Sequence, residues 1–247
     1  MKPMRQRIAE GTPLRGPFLG IPSVMATEIM LGAKPDFVCI DTEHSPISDH
    51  LMTDMIRAAD LAAVPALVRV RSALGQNIAA ALDAGACGVL VPHVSTAETA
   101  RAVVQAARYS PDGHRGAGPG RAARYLRDIP GSIERARAET VVAVQLETLE
   151  AVNNAAEILA VPGVDLAFIG PGDLGIDLAS RGVATTLDEV IETLLSAAHD
   201  AGVSVGIFTA EREKSQSWLG RLSFVIEGSD ALLLTLASDA AFAPLAL

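Results

Sequence analysis

Three short apolar runs in this 247-residue chain end in groups that can hold a cation or move a proton. Val144-Gln145-Leu146-Glu147-Thr148 ends in an amide and a carboxylate. Phe168-Ile169-Gly170-Pro171-Gly172-Asp173-Leu174 ends in a second carboxylate. Phe37-Val38-Cys39-Ile40-Asp41-Thr42-Glu43-His44 adds an imidazole. Carboxylates at strand ends suit a hard divalent cation, with substrate oxygens and water completing its shell. Glu147 and Asp173 are the candidate pair; the alternative is that both cap nearby helices, although Thr148 already offers itself as a cap beside Glu147. Arg69, closing Pro65-Ala66-Leu67-Val68-Arg69, can hold a carboxylate or a developing enolate oxygen, or form a surface ion pair. His44 can serve as a general base near neutral pH, or be structural. Asp83, in Ala81-Leu82-Asp83-Ala84-Gly85, is a lone acid at an apolar helix end, either a defect there or a partner for such a base.

The elements that must position these groups alternate along the chain. Strand-like runs fall at Phe18–Pro22, Phe37–Asp41, Ala66–Val70, Gly88–Val91, Val141–Leu146, Leu166–Ile169, Val203–Phe208 and Ser223–Ile226. Between them lie helix-spaced apolar residues: Met52, Met55, Ile56 and Ala59 after Ser48 as N-cap, and Leu187, Val190, Ile191, Leu194 and Leu195 before Gly202 as stop signal. Eight strands alternating with helices predict a parallel (β/α)8 TIM barrel, one α/β domain over residues 1–247. Residues at the C-terminal strand ends then share one mouth: His44, Arg69, His93, Gln145, Glu147, Gly172 and Asp173. The glycine-rich segment from Tyr109 to Ile129 reads as a long loop, expected to be a lid, a subunit contact or an unstructured stretch. Its Gly116-Ala117-Gly118-Pro119-Gly120 does not follow a strand and is no dinucleotide fingerprint.

Composition narrows the chemistry. A net charge of −9 argues against a nucleic-acid surface. No apolar run approaches a membrane span and no leader opens the chain, so a cytoplasmic protein is expected, with Cys39 and Cys87 as buried free thiols. The only lysines are Lys2, Lys34 and Lys214. None ends a predicted strand, so a Schiff-base mechanism is disfavoured. No Gly-x-Ser-x-Gly elbow is present either.

Taken in order, Ile40-Asp41-Thr42-Glu43-His44-Ser45-Pro46, Val68-Arg69-Val70, Leu82-Asp83-Ala84-Gly85-Ala86, Val89-Leu90-Val91-Pro92, Arg108-Tyr109-Ser110-Pro111 with Gly113-His114-Arg115-Gly116, Gln145-Leu146-Glu147-Thr148 and Gly170-Pro171-Gly172-Asp173-Leu174 resemble the motifs of the HpcH/HpaI aldolases, metal-dependent class II pyruvate aldolases. The resemblance spans about Gly20 to Asp230. It implies a divalent cation (Mg²⁺, Mn²⁺ or Co²⁺) on Glu147 and Asp173, and His44 as base with Asp83 raising its basicity. It implies Arg69 as stabiliser of the enolate and transition state, and Gln145 with the Gly172 N–H as binders of the 2-oxo acid carboxylate. The reaction implied is reversible cleavage of a 4-hydroxy-2-oxo acid into pyruvate, or a related 2-oxo acid such as hydroxypyruvate, and an aldehyde. The assembly implied is a homo-hexamer, a trimer of dimers with an exchanged C-terminal helix. Gly172 replaces a common Ala, Gly175 a frequent Ser, and His93 stands where an apolar or amide residue is usual, lining the pocket or packed. An acyl-CoA lyase of the malyl-CoA or citryl type and a non-catalytic binding barrel are the rival readings. The first needs a basic surface that only Arg115–Arg127 could supply.

Overall fold

A computed structural model describes residues 2–243. The elements in chain order are α1 (Met4–Ala9), β1 (Leu14–Leu19), α2 (Val24–Gly32), β2 (Val38–Asp41), α3 (Asp49–Leu61), β3 (Ala66–Arg69), α4 (Gly75–Ala84), β4 (Gly88–Val91), α5 (Ala97–Ala107), α6 (Ile129–Glu139), β5 (Val141–Leu146), α7 (Leu149–Asn153), α8 (Ala155–Leu159), β6 (Leu166–Ile169), α9 (Pro171–Ser180), α10 (Leu187–Ala201), β7 (Ser204–Thr209), α11 (Arg212–Leu219), β8 (Phe224–Ser229) and α12 (Asp230–Ala241). The eight strands are parallel and close in sequence order, with β8 returning to β1. This is the (β/α)8 barrel the alternation predicts.

Two apolar layers follow from the two faces of each strand. Phe18, Cys39, Leu67, Leu90, Ala143, Phe168 and Ile226 fill the barrel interior. Their sequence neighbours Val38, Ile40, Val68, Val89, Val144 and Ile169 face the surrounding helices. Because side chains alternate along a strand, the inward parity continues past the core to the strand ends. Cys39 leads to Asp41, Leu67 to Arg69, and Ala143 to Gln145 and Glu147. The same hydrophobic pattern that fills the barrel therefore delivers these polar groups to its mouth.

Helix boundaries follow local chemistry. Ser48 accepts from the Leu51 N–H at the start of α3, and Gly202 ends α10 in a left-handed conformation, φ 66°. Strand β1 begins earlier than its sequence suggests, at Leu14 rather than Phe18. Arg15 and Pro17 interrupt the apolar run there, and the register against β8 shifts between Gly16 and Phe18. Gly16 is required by close approach, since a Cβ there would lie 2.0 Å from the Phe37 carbonyl oxygen. Strand β8 runs on past Ile226 to Ser229.

The segment from Tyr109 to Ile129 contains one short 3-10 turn, Arg121–Ala123. It joins α5 to α6 at the end where strands begin, and is tied down there by Arg115 to Asp83 and Arg121 to Asp60. It is therefore not a lid over its own barrel's mouth, which corrects that expectation. Helix α12 leaves the barrel surface: after Leu232, every residue to Ala241 is exposed, including Leu233, Leu234 and Leu236. No helix among the described residues is long and apolar enough to cross a membrane.

Candidate active site

A cavity of about 470 Å³ opens at the C-terminal strand ends, with Asp41, His44, Arg69, Gln145, Gly172 and Asp173 in its wall. Arg69, the last residue of β3, is the organising cation. Its Nε donates to Asp41 Oδ1 at 2.9 Å and its Nη2 to Asp41 Oδ2 at 2.7 Å. The guanidinium stacks 4.3 Å from the Phe18 ring centroid. Burial opposes its charge, yet the hydrogen bonds and charge of Asp41 outweigh that and hold its pKa above the ordinary value. Asp41 also accepts the N–H groups of Glu43 and His44 through Oδ1, so one carboxylate fixes both the arginine and the turn that carries the histidine.

His44 stands at the rim with 59% of its side chain exposed and its Nε2 3.7 Å from Glu43 Oε2. The Glu43 side chain is only 7% exposed, and its Oε2 also lies 3.3 Å from Arg69 Nε while accepting no hydrogen bond. Burial pushes the Glu43 pKa up, against the opposing charges of Arg69, His44 and His93. Asp83 does not join this group. It sits at the far end of the ten-residue α4, roughly 15 Å of helix away from the mouth, and accepts from Arg115 Nη2 at 2.7 Å. Within one chain the acid beside His44 is Glu43, and Asp83 lies at the opposite end of the barrel.

Glu147 is 1% exposed. Gln145 Nε2 donates to its Oε2, and the His93 N–H donates to its Oε1 at 2.7 Å. It caps no helix, because Thr148 takes that role for α7 through the Ala151 N–H. Asp173 sits in the first turn of α9, whose N-cap is Gly170 with no side-chain cap bond. Gly170 lies against the first acid, where a Cβ would stand 3.1 Å from Glu147 Oε2, and it lines the cavity together with Asp173. Both carboxylates therefore face the same end of the barrel. A Cβ on Gly172 would meet nothing within 4 Å, so Ala at this position is sterically free.

This donor set fits a hard divalent cation. Glu147 is hydrogen-bonded to Gln145, whose Oε1 is buried with no hydrogen-bond partner, Asp173 shares the cavity wall with Gln145, and all three offer oxygen ligands. Among the described residues no group of three or more His, Cys, Asp or Glu side chains is arranged as a closed metal site. Asp41 and Glu43 are the residues that sequence reasoning passed over as site members. Their inward parity with Cys39 was the available signal. The two thiols are free; Cys39 is buried, whereas Cys87 is half-buried, with burial pushing its pKa up to about 12, and neither is at the mouth.

Comparison with known proteins supplies the family. Residues 16–234 match the model of the family described as HpcH/HpaI aldolase/citrate lyase. The 4-hydroxy-2-oxo-heptane-1,7-dioate aldolase of Shigella sonnei is 37% identical over 93% of this chain and 89% of its own length. The hydroxypyruvate/pyruvate aldolase of Roseovarius nubinhibens is 37% identical over 93% and 91%. A crystal structure of a family member from Burkholderia cenocepacia superposes with a TM-score of 0.89 at 32% identity, covering 96% of each chain. With residues 16–234 matched and relatives 37% identical over nearly their whole length, this chain belongs to the HpcH/HpaI aldolase/citrate lyase family.

Proposed function

We propose that the protein reversibly cleaves 4-hydroxy-2-oxo acids into pyruvate, or a related 2-oxo acid such as hydroxypyruvate, and an aldehyde. The observation that carries this reading is the gathering of Asp173, Arg69 and His44 in one cavity wall, with Glu147 held directly behind it by the wall residue Gln145. Glu147 and Asp173 would hold a divalent cation, Mg²⁺, Mn²⁺ or Co²⁺, which when bound supplies Lewis acidity toward the 2-oxo group. The Gly172 N–H, at the start of α9, faces the substrate carboxylate where the helix N-terminus favours an anion. Gln145 fixes Glu147 and lines the same wall. His44 takes the proton of the 4-hydroxyl, the C3–C4 bond breaks with its electron pair passing to the 2-oxo oxygen, and Arg69 stabilises the resulting enolate. Protonation at C3 then yields the 2-oxo acid.

The acyl-CoA reading draws no support from the basic loop. Arg115 and Arg121 are spent on Asp83 and Asp60 at the opposite end of the barrel. The exposed leucines of α12 support a homo-oligomer with exchanged C-terminal helices, consistent with the inferred hexamer. The free thiols support a reducing compartment such as the cytoplasm.

Exchange of pyruvate methyl protons in deuterated water tests donor and cation together. Exchange is expected with added Mg²⁺, Mn²⁺ or Co²⁺ and is expected to stop after exhaustive chelation. Undiminished exchange without cation would remove the metal from the mechanism.

A further inference from the structure

We propose that His93 is a positioning residue that clamps Glu147 to Glu43 and so sets the aim of the carboxylate offered to the cation. This rests on the reading of Glu147 as a cation ligand. His93 follows Pro92 just beyond β4 and adopts a left-handed backbone, φ 56°, a conformation uncommon outside glycine and concentrated at functional sites. That backbone turns its N–H onto Glu147 Oε1 at 2.7 Å. The ring then folds over the same atom, with Nδ1 3.1 Å from Glu147 Oε1 and Nε2 3.1 Å from Glu43 Oε1. The side chain is 62% exposed, so packing does not hold it; the two carboxylates do.

With Gln145 Nε2 on the other oxygen, both Glu147 oxygens are held from fixed directions. The clamp continues to the base, since Glu43 Oε2 lies 3.7 Å from His44 Nε2. Side chains from the ends of β2, β4 and β5 are thereby tied into one unit reaching from the ligand to the proton acceptor. Hydrogen-bonded groups behind a ligand orient it, and losing one typically lowers metal affinity by about 10–100-fold.

The test is Mn²⁺ binding to the full chain without substrate, read from the electron paramagnetic resonance signal of free Mn²⁺. His93→Asn keeps a residue that tolerates the left-handed backbone, and His93→Gly removes the ring with no backbone demand, so a folded variant is secured by one or the other. Both are expected to bind Mn²⁺ about tenfold or more weakly. Glu43→Gln is expected to weaken binding less, and the double variant to bind no worse than His93→Asn alone, because coupled partners do not add. Parent-like affinity in the folded His93 variants, or effects of Glu43 and His93 that multiply, would overturn the clamp. A parent protein that binds no Mn²⁺ overturns the cation assignment itself and the clamp with it.

Discussion

Asp41 and Arg69 are register partners at the ends of adjacent strands, and their side chains meet in a two-point ion pair of 2.9 and 2.7 Å. The pair is nearly dry. It locks the guanidinium plane against Phe18, so under the proposed mechanism a developing oxyanion would meet a charge that needs no reorganisation. The same Asp41 oxygen that receives Arg69 Nε also holds the Glu43 and His44 backbone. Arg69 and the turn that carries His44 are thus set by one anchor.

Arg69→Lys is expected to lower kcat about 10²–10³-fold, because an ammonium cannot reproduce the two-point fork. Asp41→Ala leaves a buried arginine without its partner and is expected to cost about 3–5 kcal/mol of stability. Steady-state kinetics and urea unfolding separate the two effects. A Lys variant with parent-like kcat would remove Arg69 from the transition state.

His44→Ala is expected to abolish cleavage while leaving Mn²⁺ affinity unchanged, since the imidazole stands at the rim and touches Glu43 rather than Glu147 or Asp173. Glu147→Gln and Asp173→Asn are expected to do the reverse, losing Mn²⁺ binding and, through it, turnover. Calorimetric titration of the cation alongside an aldehyde-release assay distinguishes the classes. Full activity in the His44 variant would reject its role as base.

Glu43 gives the protein a pH-dependent stability of predictable sign. Burial raises its pKa in the fold, and the groups facing it are Arg69, His44, His93 and Glu147. A carboxyl raised in the native state is bound to its proton more tightly there than in the unfolded chain. Its contribution is therefore full at low pH and is lost as pH climbs through the raised value, a window opening above the ordinary glutamate range. Glu43→Gln mimics the protonated form, so it is expected to raise the melting temperature at pH 8 relative to the parent and to change it little at pH 4. A uniform shift at both pH values would show that packing, not protonation, sets the effect.

The barrel was readable because its two-fold side-chain alternation and its intervening helices are local patterns. The position of the two acids at the mouth was readable because Glu147 directly follows β5 and Asp173 lies in the turn of helix that follows β6. Strand β1 was misplaced since Gly16 and Pro17 are selected by contact with Phe37 and by a register shift against β8, neither visible in a local window. The separation of Asp83 from His44 within one chain was not readable, because motif order says nothing about which end of a helix a residue occupies. Asp83 lies at the end of α4 that points away from the mouth. Glu43, one residue before the histidine, was overlooked, although it continues the inward parity of Cys39 and Asp41.

Helix α12 carries the last expectation. In a barrel of this kind the final helix ordinarily covers the strands it follows, yet here only its first turn is anchored. Asp230 accepts the Gly20 N–H at 2.8 Å and an Ile21 N–H at 3.1 Å, and Ser229 caps the helix through the Leu232 N–H. Beyond that turn, Leu233, Leu234 and Leu236 are 49%, 61% and 56% exposed. Three leucines in four positions, left in water on one helix, are the kind of apolar patch that a subunit contact covers. Leu234→Glu with Leu236→Glu is expected to reduce the assembly to smaller species in sedimentation velocity, because two carboxylates buried in an apolar contact have no partners. The anchored first turn should keep the barrel itself folded. An unchanged sedimentation coefficient in that variant would place the subunit contact elsewhere on the surface.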